Sequence, residues 1–207
     1  MTPTHIPFFR LLIAAIFACS GLLASTLPAS AQFSPEQVQS VLQTEAAIKR
    51  ISTATGRFLQ ISNEGNVARG DIFLSRPGRL RFDYDSPSPL ILVADGRNVI
   101  EIDNDLESAR RLSLNSTPLR LFLNTDVDFR TTVNILRVEE VADSVLITMQ
   151  DRERPNDGTL TLVMSKTNFT LRAWQMVDNK GERTTVRLEN MAYGISIPPE
   201  LFQDPGF

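Results

Sequence analysis

The chain has 207 residues, a formal net charge of −3 and 22% charged residues, a balance typical of a globular protein and not of one that binds nucleic acid. Its single cysteine, Cys19, and its single histidine, His5, both lie within the first 31 residues. Residues 32–207 therefore cannot use disulfides, thiolate metal ligands, cysteine nucleophiles or histidine acid–base catalysis, and we expect no enzyme, no metal and no cofactor.

Residues 1–31 have the three-part layout of a secretory signal peptide. Arg10 is followed by an apolar run at residues 11–23, and small residues occupy positions 29–31. The run is short for a membrane span, which needs about 20 apolar residues. We therefore expect cleavage after residue 31, which leaves a single domain at residues 32–207.

A helix is predicted directly after this leader. Ser34 is a capping residue, Pro35 takes the first helical position and Gln37 lies three residues after the cap. The positions that follow repeat at about 3.6 residues and predict one apolar face that lies on a sheet. These positions are Val38, Val41, Leu42, Glu45, Ile48 and Ile51, of which Glu45 alone is charged.

From Thr55 onward the pattern changes to the two-residue alternation of strands. Short turns join most of the predicted strands, which favours an antiparallel meander over a parallel sheet with crossover helices. One strand is predicted through Leu80, Phe82 and Tyr84. The others are predicted at residues 56–62, 67–75, 90–94, 98–103, 133–139, 144–151, 158–165, 171–178 and 183–190.

One cation falls in register with apolar strand residues. Ile72 and Leu74 share a face, and Arg76 continues that parity if the strand runs to Pro77. A buried guanidinium needs partners, and backbone carbonyls can supply them. Arg76 could instead end the strand and reach water or a surface acid, and parity alone leaves both interpretations open. In the next strand one face carries Leu80, Phe82 and Tyr84, and the other, expected to be wet, carries Arg79, Arg81, Asp83 and Asp85.

A second short helix is predicted at residues 119–123, after Pro118 and the polar residues 115–117. It is unusually apolar for an exposed helix. It is a plug in the core, an ordinary crossing helix or a lid across the mouth of a curved sheet, and the pattern alone favours the plug.

An acidic loop holds Asp103, Asp105 and Glu107. An EF-hand loop starting at Asp103 would need glycine at its sixth position and glutamate at its twelfth, where this chain has Ser108 and Leu114. Calcium binding is therefore not expected.

A set of landmark residues that recur in a fixed order makes the chain resemble the periplasmic outer-membrane lipoprotein carrier family, LolA, across nearly all of residues 32–207. No single landmark decides this, and the evidence is their order and spacing. They are Gly56, Phe58, Gln60, Gly70, residues 76–84, Pro89, residues 95–96, Pro118, Leu121, Leu123 and residues 198–199.

The resemblance implies an unclosed antiparallel half-barrel, mainly β with some α, whose hydrophobic cavity is covered by helices. It also implies a lid latch at Arg76 and a lid helix at residues 119–123. The expected cavity lining is Ile72, Leu74, Leu80, Phe82, Tyr84 and Leu92, and the expected lid residues are Val41, Leu42, Leu119, Phe122 and Leu123.

The function implied is that of a periplasmic chaperone that moves acylated lipoproteins from the inner to the outer membrane. The expected partners are those lipoproteins, an inner-membrane lipoprotein-releasing ABC transporter and, where present, the outer-membrane receptor LolB, with the carrier acting as a monomer. Two alternatives stay open: an envelope-stress sensor module, and a LolB-like acceptor of the same fold. The acceptor needs a lipid at Cys19, which the bulky Phe17 two residues earlier disfavours.

Overall fold

The computed structural model describes residues 33–124 and 128–204. The predicted leader at residues 1–31, including Cys19, lies outside the described residues. In the two described ranges no helix has the length and apolar character needed to cross a membrane.

Eleven strands in the described residues form one antiparallel sheet. Their order across the sheet is β6-β5-β4-β3-β2-β1-β11-β10-β9-β8-β7. The edge strands β6 and β7 do not pair with each other, so the sheet stays unclosed. The strands are β1 Thr53–Ile61, β2 Val67–Ser75, β3 Arg79–Tyr84, β4 Leu90–Asp95, β5 Asn98–Asp103, β6 Ser108–Ser113, β7 Val133–Val141, β8 Ser144–Asp151, β9 Gly158–Ser165, β10 Leu171–Asp178 and β11 Arg183–Tyr193.

The antiparallel half-barrel predicted from the sequence is confirmed, and most strand bounds agree within three residues. The sequence prediction missed β6, which reads Ser-Ala-Arg-Arg-Leu-Ser and is largely exposed. Edge strands are commonly polar and charged because such side chains prevent pairing with other chains, so the apolar alternation is absent there.

Alternation divides the sheet into an inner face, which carries Leu80 and Phe82, and an outer face, which carries Arg79 and Arg81. The inner face holds the main core. Its largest fully buried side chains are Phe58, Ile72, Leu80, Ile147, Met149 and Trp174.

Helix α1, Pro35–Arg50, begins with the predicted capping box. The Gln37 amide donates to Ser34 Oγ at 3.2 Å, and the Ser34 amide donates to Gln37 Oε1 at 2.9 Å. Glu36 in the first turn and Lys49 in the last turn match the helix dipole.

The predicted apolar face of α1 is wrong in part. Val38 and Leu42 are 46% and 44% exposed. The buried residues of the helix are Ser40, Thr44, Glu45, Ala47 and Ile48, a stripe rich in small side chains. Small side chains let the helix backbone approach the sheet closely. These positions are therefore buried, although Val38 and Leu42 have longer apolar side chains.

The outer face of the sheet is not solvent-exposed throughout. This corrects the expectation that the Arg79 and Arg81 face of β3 is exposed to solvent. The C-terminal segment packs Phe202, in a 3-10 helix at Pro199–Phe202, against a second apolar cluster. Arg81 donates to the Leu201 carbonyl at 3.0 Å and Arg79 lies over the Phe202 ring. The strand residues buried in this cluster are Val93, Ile100 and Ile102.

Candidate functional site

The six predicted lining residues lie together on the inner face of β2, β3 and β4. Ile72, Phe82 and Leu92 are register neighbours across the three strands, and two residues further along β2 Leu74 pairs with Leu80. Four of the six are buried, whereas Tyr84 and Leu92 are partly buried against the same core. This part of the inner face is thus a continuous apolar surface.

Tyr84 adds a polar atom at the margin of that surface. Its hydroxyl donates to Gln60 Oε1 at 2.8 Å. Burial raises the pKa of Tyr84 to about 12, although the hydrogen bond with Gln60 acts in the opposite direction. The phenol therefore stays neutral at physiological pH.

Helix α2, Arg120–Leu123, packs in the same core cluster as this surface. It begins one residue later than predicted and has no side-chain cap. Leu119, Phe122 and Leu123 are all buried, and the Phe122 ring stacks on Trp174 with centroids 5.2 Å apart. The apolar side chains of α2 are therefore part of the main core.

Arg76 lies directly after β2 and is 7% exposed. Its Nη1 donates to the Ile48 carbonyl and, at 3.2 Å, to the Ile51 carbonyl, both at the C-terminal end of α1. Its Nη2 donates to the carbonyl of Asn124, the residue that follows α2. One guanidinium therefore joins the ends of both helices.

Helix ends explain why a cation is accommodated at this position. The last carbonyls of a helix lack intrahelical partners and carry the negative end of the dipole. The Arg76 guanidinium also lies 5.8 Å from the Phe122 ring centroid, and its Nε is buried without a hydrogen-bond partner in the part of the chain that the structure describes. Burial lowers the pKa of Arg76 from its ordinary value, which reflects the cost of removing the charge from water.

The other end of α2 is held by an ion pair that the sequence prediction missed. Arg120, 14% exposed in its side chain, pairs with Asp151 at the end of β8, 5% exposed. Asp151 Oδ1 also accepts from the Glu153 and Arg154 amides at 2.8 and 2.9 Å. Burial, followed by the charge of Arg154, lowers the pKa of Arg120. These residues are far apart in sequence and carry no local motif.

Two of the predicted lid residues, Val41 and Leu42, differ in burial. They line a groove of about 500 Å³ between α1 and β7. Val41 is partly buried against the core, whereas the exposed Leu42 corrects the expectation of a buried lid residue. The groove is also lined by Phe33, Val38, Phe129, Val133 and Ile135.

The fold and the site together define a helix-covered antiparallel half-barrel with an apolar interior. Residues 49–204 match the model of the family described as outer membrane lipoprotein carrier protein LolA, and the chain belongs to this family. The resemblance read from the sequence landmarks is therefore confirmed.

Individual relatives are similar over most of their length. An outer-membrane lipoprotein carrier protein of Chromobacterium violaceum is 26% identical over 205 residues, covering 95% of this chain and 92% of its own. One of Methylococcus capsulatus is 29% identical over 204 residues, covering 95% and 93%. A solved DUF1329 family protein of Desulfovibrio piger has a TM-score of 0.51 at 10% identity, covering 81% of this chain and 96% of that one, and shows the fold alone.

Proposed function

We propose that this protein carries acylated lipoproteins through the periplasm, from the inner to the outer membrane, with their acyl chains held between the sheet and its covering helices. Membership of the LolA family and relatives named as lipoprotein carriers support the carrier role. The observation that carries the mechanism is Arg76, whose guanidinium bonds to carbonyls at the ends of both helices over an apolar inner face.

The energetics of acyl chains explain why a carrier needs a covered apolar interior. Burying a chain contributes about 0.8 kcal/mol per methylene, so a lipoprotein with several long chains does not cross water unaided. Non-covalent binding rarely exceeds about 20 kcal/mol, and the cargo also has to leave. An interior that closes on itself when empty opposes binding and thereby keeps release attainable.

Arg76 acts as the latch of that closed form. Its hydrogen bonds to the Ile51 and Asn124 carbonyls break when the two helices separate, and each such bond to a charged group contributes about 1.5–3 kcal/mol. Rehydration of the guanidinium on opening offsets part of this. The balance is a modest preference for the closed form that cargo binding can overcome.

The remaining parts of the proposal follow the family. Residues 1–31 act as a cleaved leader and residues 32–207 as one carrier domain in the periplasm. The carrier, as a monomer, receives cargo from an inner-membrane lipoprotein-releasing ABC transporter and delivers it to LolB where that receptor is present.

The experiment compares Arg76→Leu with Arg97→Leu, a matched change at an exposed arginine of the β4–β5 turn. Each protein is purified from its native envelope, checked by circular dichroism and assayed for bound lipoprotein and for transfer to acceptor membranes. We expect Arg76→Leu to fold but to retain its cargo, with transfer at least about tenfold slower, because the empty closed form has lost its latch. Arg97→Leu should behave as wild type.

Two outcomes would contradict separate parts of the proposal. Normal transfer by Arg76→Leu would show that Arg76 is not the latch. Wild-type protein that copurifies with no acylated lipoprotein would refute the carrier role itself.

A further inference from the structure

Trp174 places an unused hydrogen-bond donor in the apolar interior. It lies on β10 and is 1% exposed, with Val186 of β11 and Leu162 of β9 as its neighbours in the sheet register. Its Nε1 is buried and has no hydrogen-bond partner among residues 33–124 and 128–204. Buried indole N–H groups usually find an acceptor, because an unmade bond leaves the desolvation cost uncompensated.

The neighbours of the indole are aromatic rings. The Phe122 ring stacks on it at 5.2 Å with an interplanar angle of 30°, and the Phe82 ring lies 6.2 Å away at 34°. A buried water needs two to four polar partners, and these two rings offer it none. Cargo that displaced Phe122 would bring an acceptor of its own within reach of Nε1.

We propose that Trp174 Nε1 donates a hydrogen bond to an acyl carbonyl of the bound cargo, which in a diacylated lipoprotein is an ester carbonyl. This inference rests on the proposed carrier function. An acyl chain is a run of methylenes whose strong acceptor is the carbonyl at its head. A lone N–H in an apolar lining therefore distinguishes acyl chains from alkyl chains of equal length and sets how deep the chain enters.

The test is a cycle of two protein variants and two ligands. Wild type and Trp174→Phe are each titrated with a lipopeptide that bears two palmitoyl esters and with its dihexadecyl ether analogue, which lacks only the carbonyl oxygens. The smaller phenyl ring weakens packing against both ligands alike, so the difference between the two losses isolates the hydrogen bond.

We expect Trp174→Phe to weaken binding of the ester about fivefold more than binding of the ether, the effect of one neutral hydrogen bond. Phe82→Leu, which changes the same lining without removing an N–H group, should weaken both ligands equally. Equal losses for Trp174→Phe would overturn the role of the indole and leave the carrier function standing. Failure of wild-type protein to bind either lipopeptide would refute the carrier function, and this inference with it.

Discussion

Phe122→Ala tests whether α2 leaves the interior when cargo enters. Phe122 is fully buried, stacks on Trp174 and lies 5.8 Å from the Arg76 guanidinium. Truncating a buried phenylalanine costs about 3–5 kcal/mol. In a domain of this size each kcal/mol lowers the melting temperature by about 2–4 °C, so the empty variant should melt about 6–20 °C below wild type.

The loaded protein should respond differently, because displacement of α2 has already broken the contacts of Phe122. We expect a loss below about 1 kcal/mol in the presence of a saturating diacylated lipopeptide. By linkage the variant should then bind the lipopeptide about 30-fold or more tightly than wild type does.

The assay is thermal unfolding with and without the lipopeptide, followed by the fluorescence of Trp174, the single tryptophan of the chain. Phe58→Ala is the matched control, since Phe58 is fully buried on β1 and packs 4.5 Å from Phe82 within the sheet. It should destabilise the empty and loaded proteins alike. An equal loss in both forms for Phe122→Ala would refute the displacement of α2.

Two further predictions concern the sheet itself. In Gly70→Ala the new Cβ would lie 2.0 Å from the Asp83 carbonyl oxygen, so β2 and β3 must separate. Chemical denaturation should show that the free energy of unfolding falls by more than about 3 kcal/mol. The control is Gly65→Ala, at an open turn with φ +86°, for which the expected loss is about 1–2 kcal/mol. Burial raises the pKa of Tyr84 to about 12, so the folded state binds the phenolic proton more tightly than the unfolded state, whose pKa is about 10. Unfolding free energy should therefore fall by about 2 kcal/mol more between pH 10 and 12 in wild type than in Tyr84→Phe, and parallel profiles would contradict the assignment.

Strands were predictable from the sequence wherever one face is buried. The alternation of Leu80 and Phe82 with Arg79 and Arg81 located the inner face of β3 correctly. It could not show that Phe202, far along the chain, covers part of the outer face, because alternation describes a strand and not what packs on it.

The sequence could indicate that Arg76 belongs to the candidate site, but it could not identify the groups that Arg76 contacts. Parity alone left open whether Arg76 points to the apolar side or reaches water, and the family resemblance favoured the buried position, where the guanidinium needs acceptors. That the acceptors belong to Ile51 and Asn124 depends on where two helices end in space. The stack of Phe122 on Trp174 is likewise a contact between distant segments that no local spacing records.

The pairing of β1 with β11 at the centre of the sheet has a consequence for folding. Ala54 pairs with Tyr193, so strands near the two ends of the described chain join the two halves of the sheet. Contacts so distant in sequence form slowly, whereas the hairpins within each half form locally. Until β11 joins the sheet, the half formed by strands β1–β6 has β1 as an unpaired edge. Premature termination before Arg183 would leave that edge without its partner and expose it to aggregation.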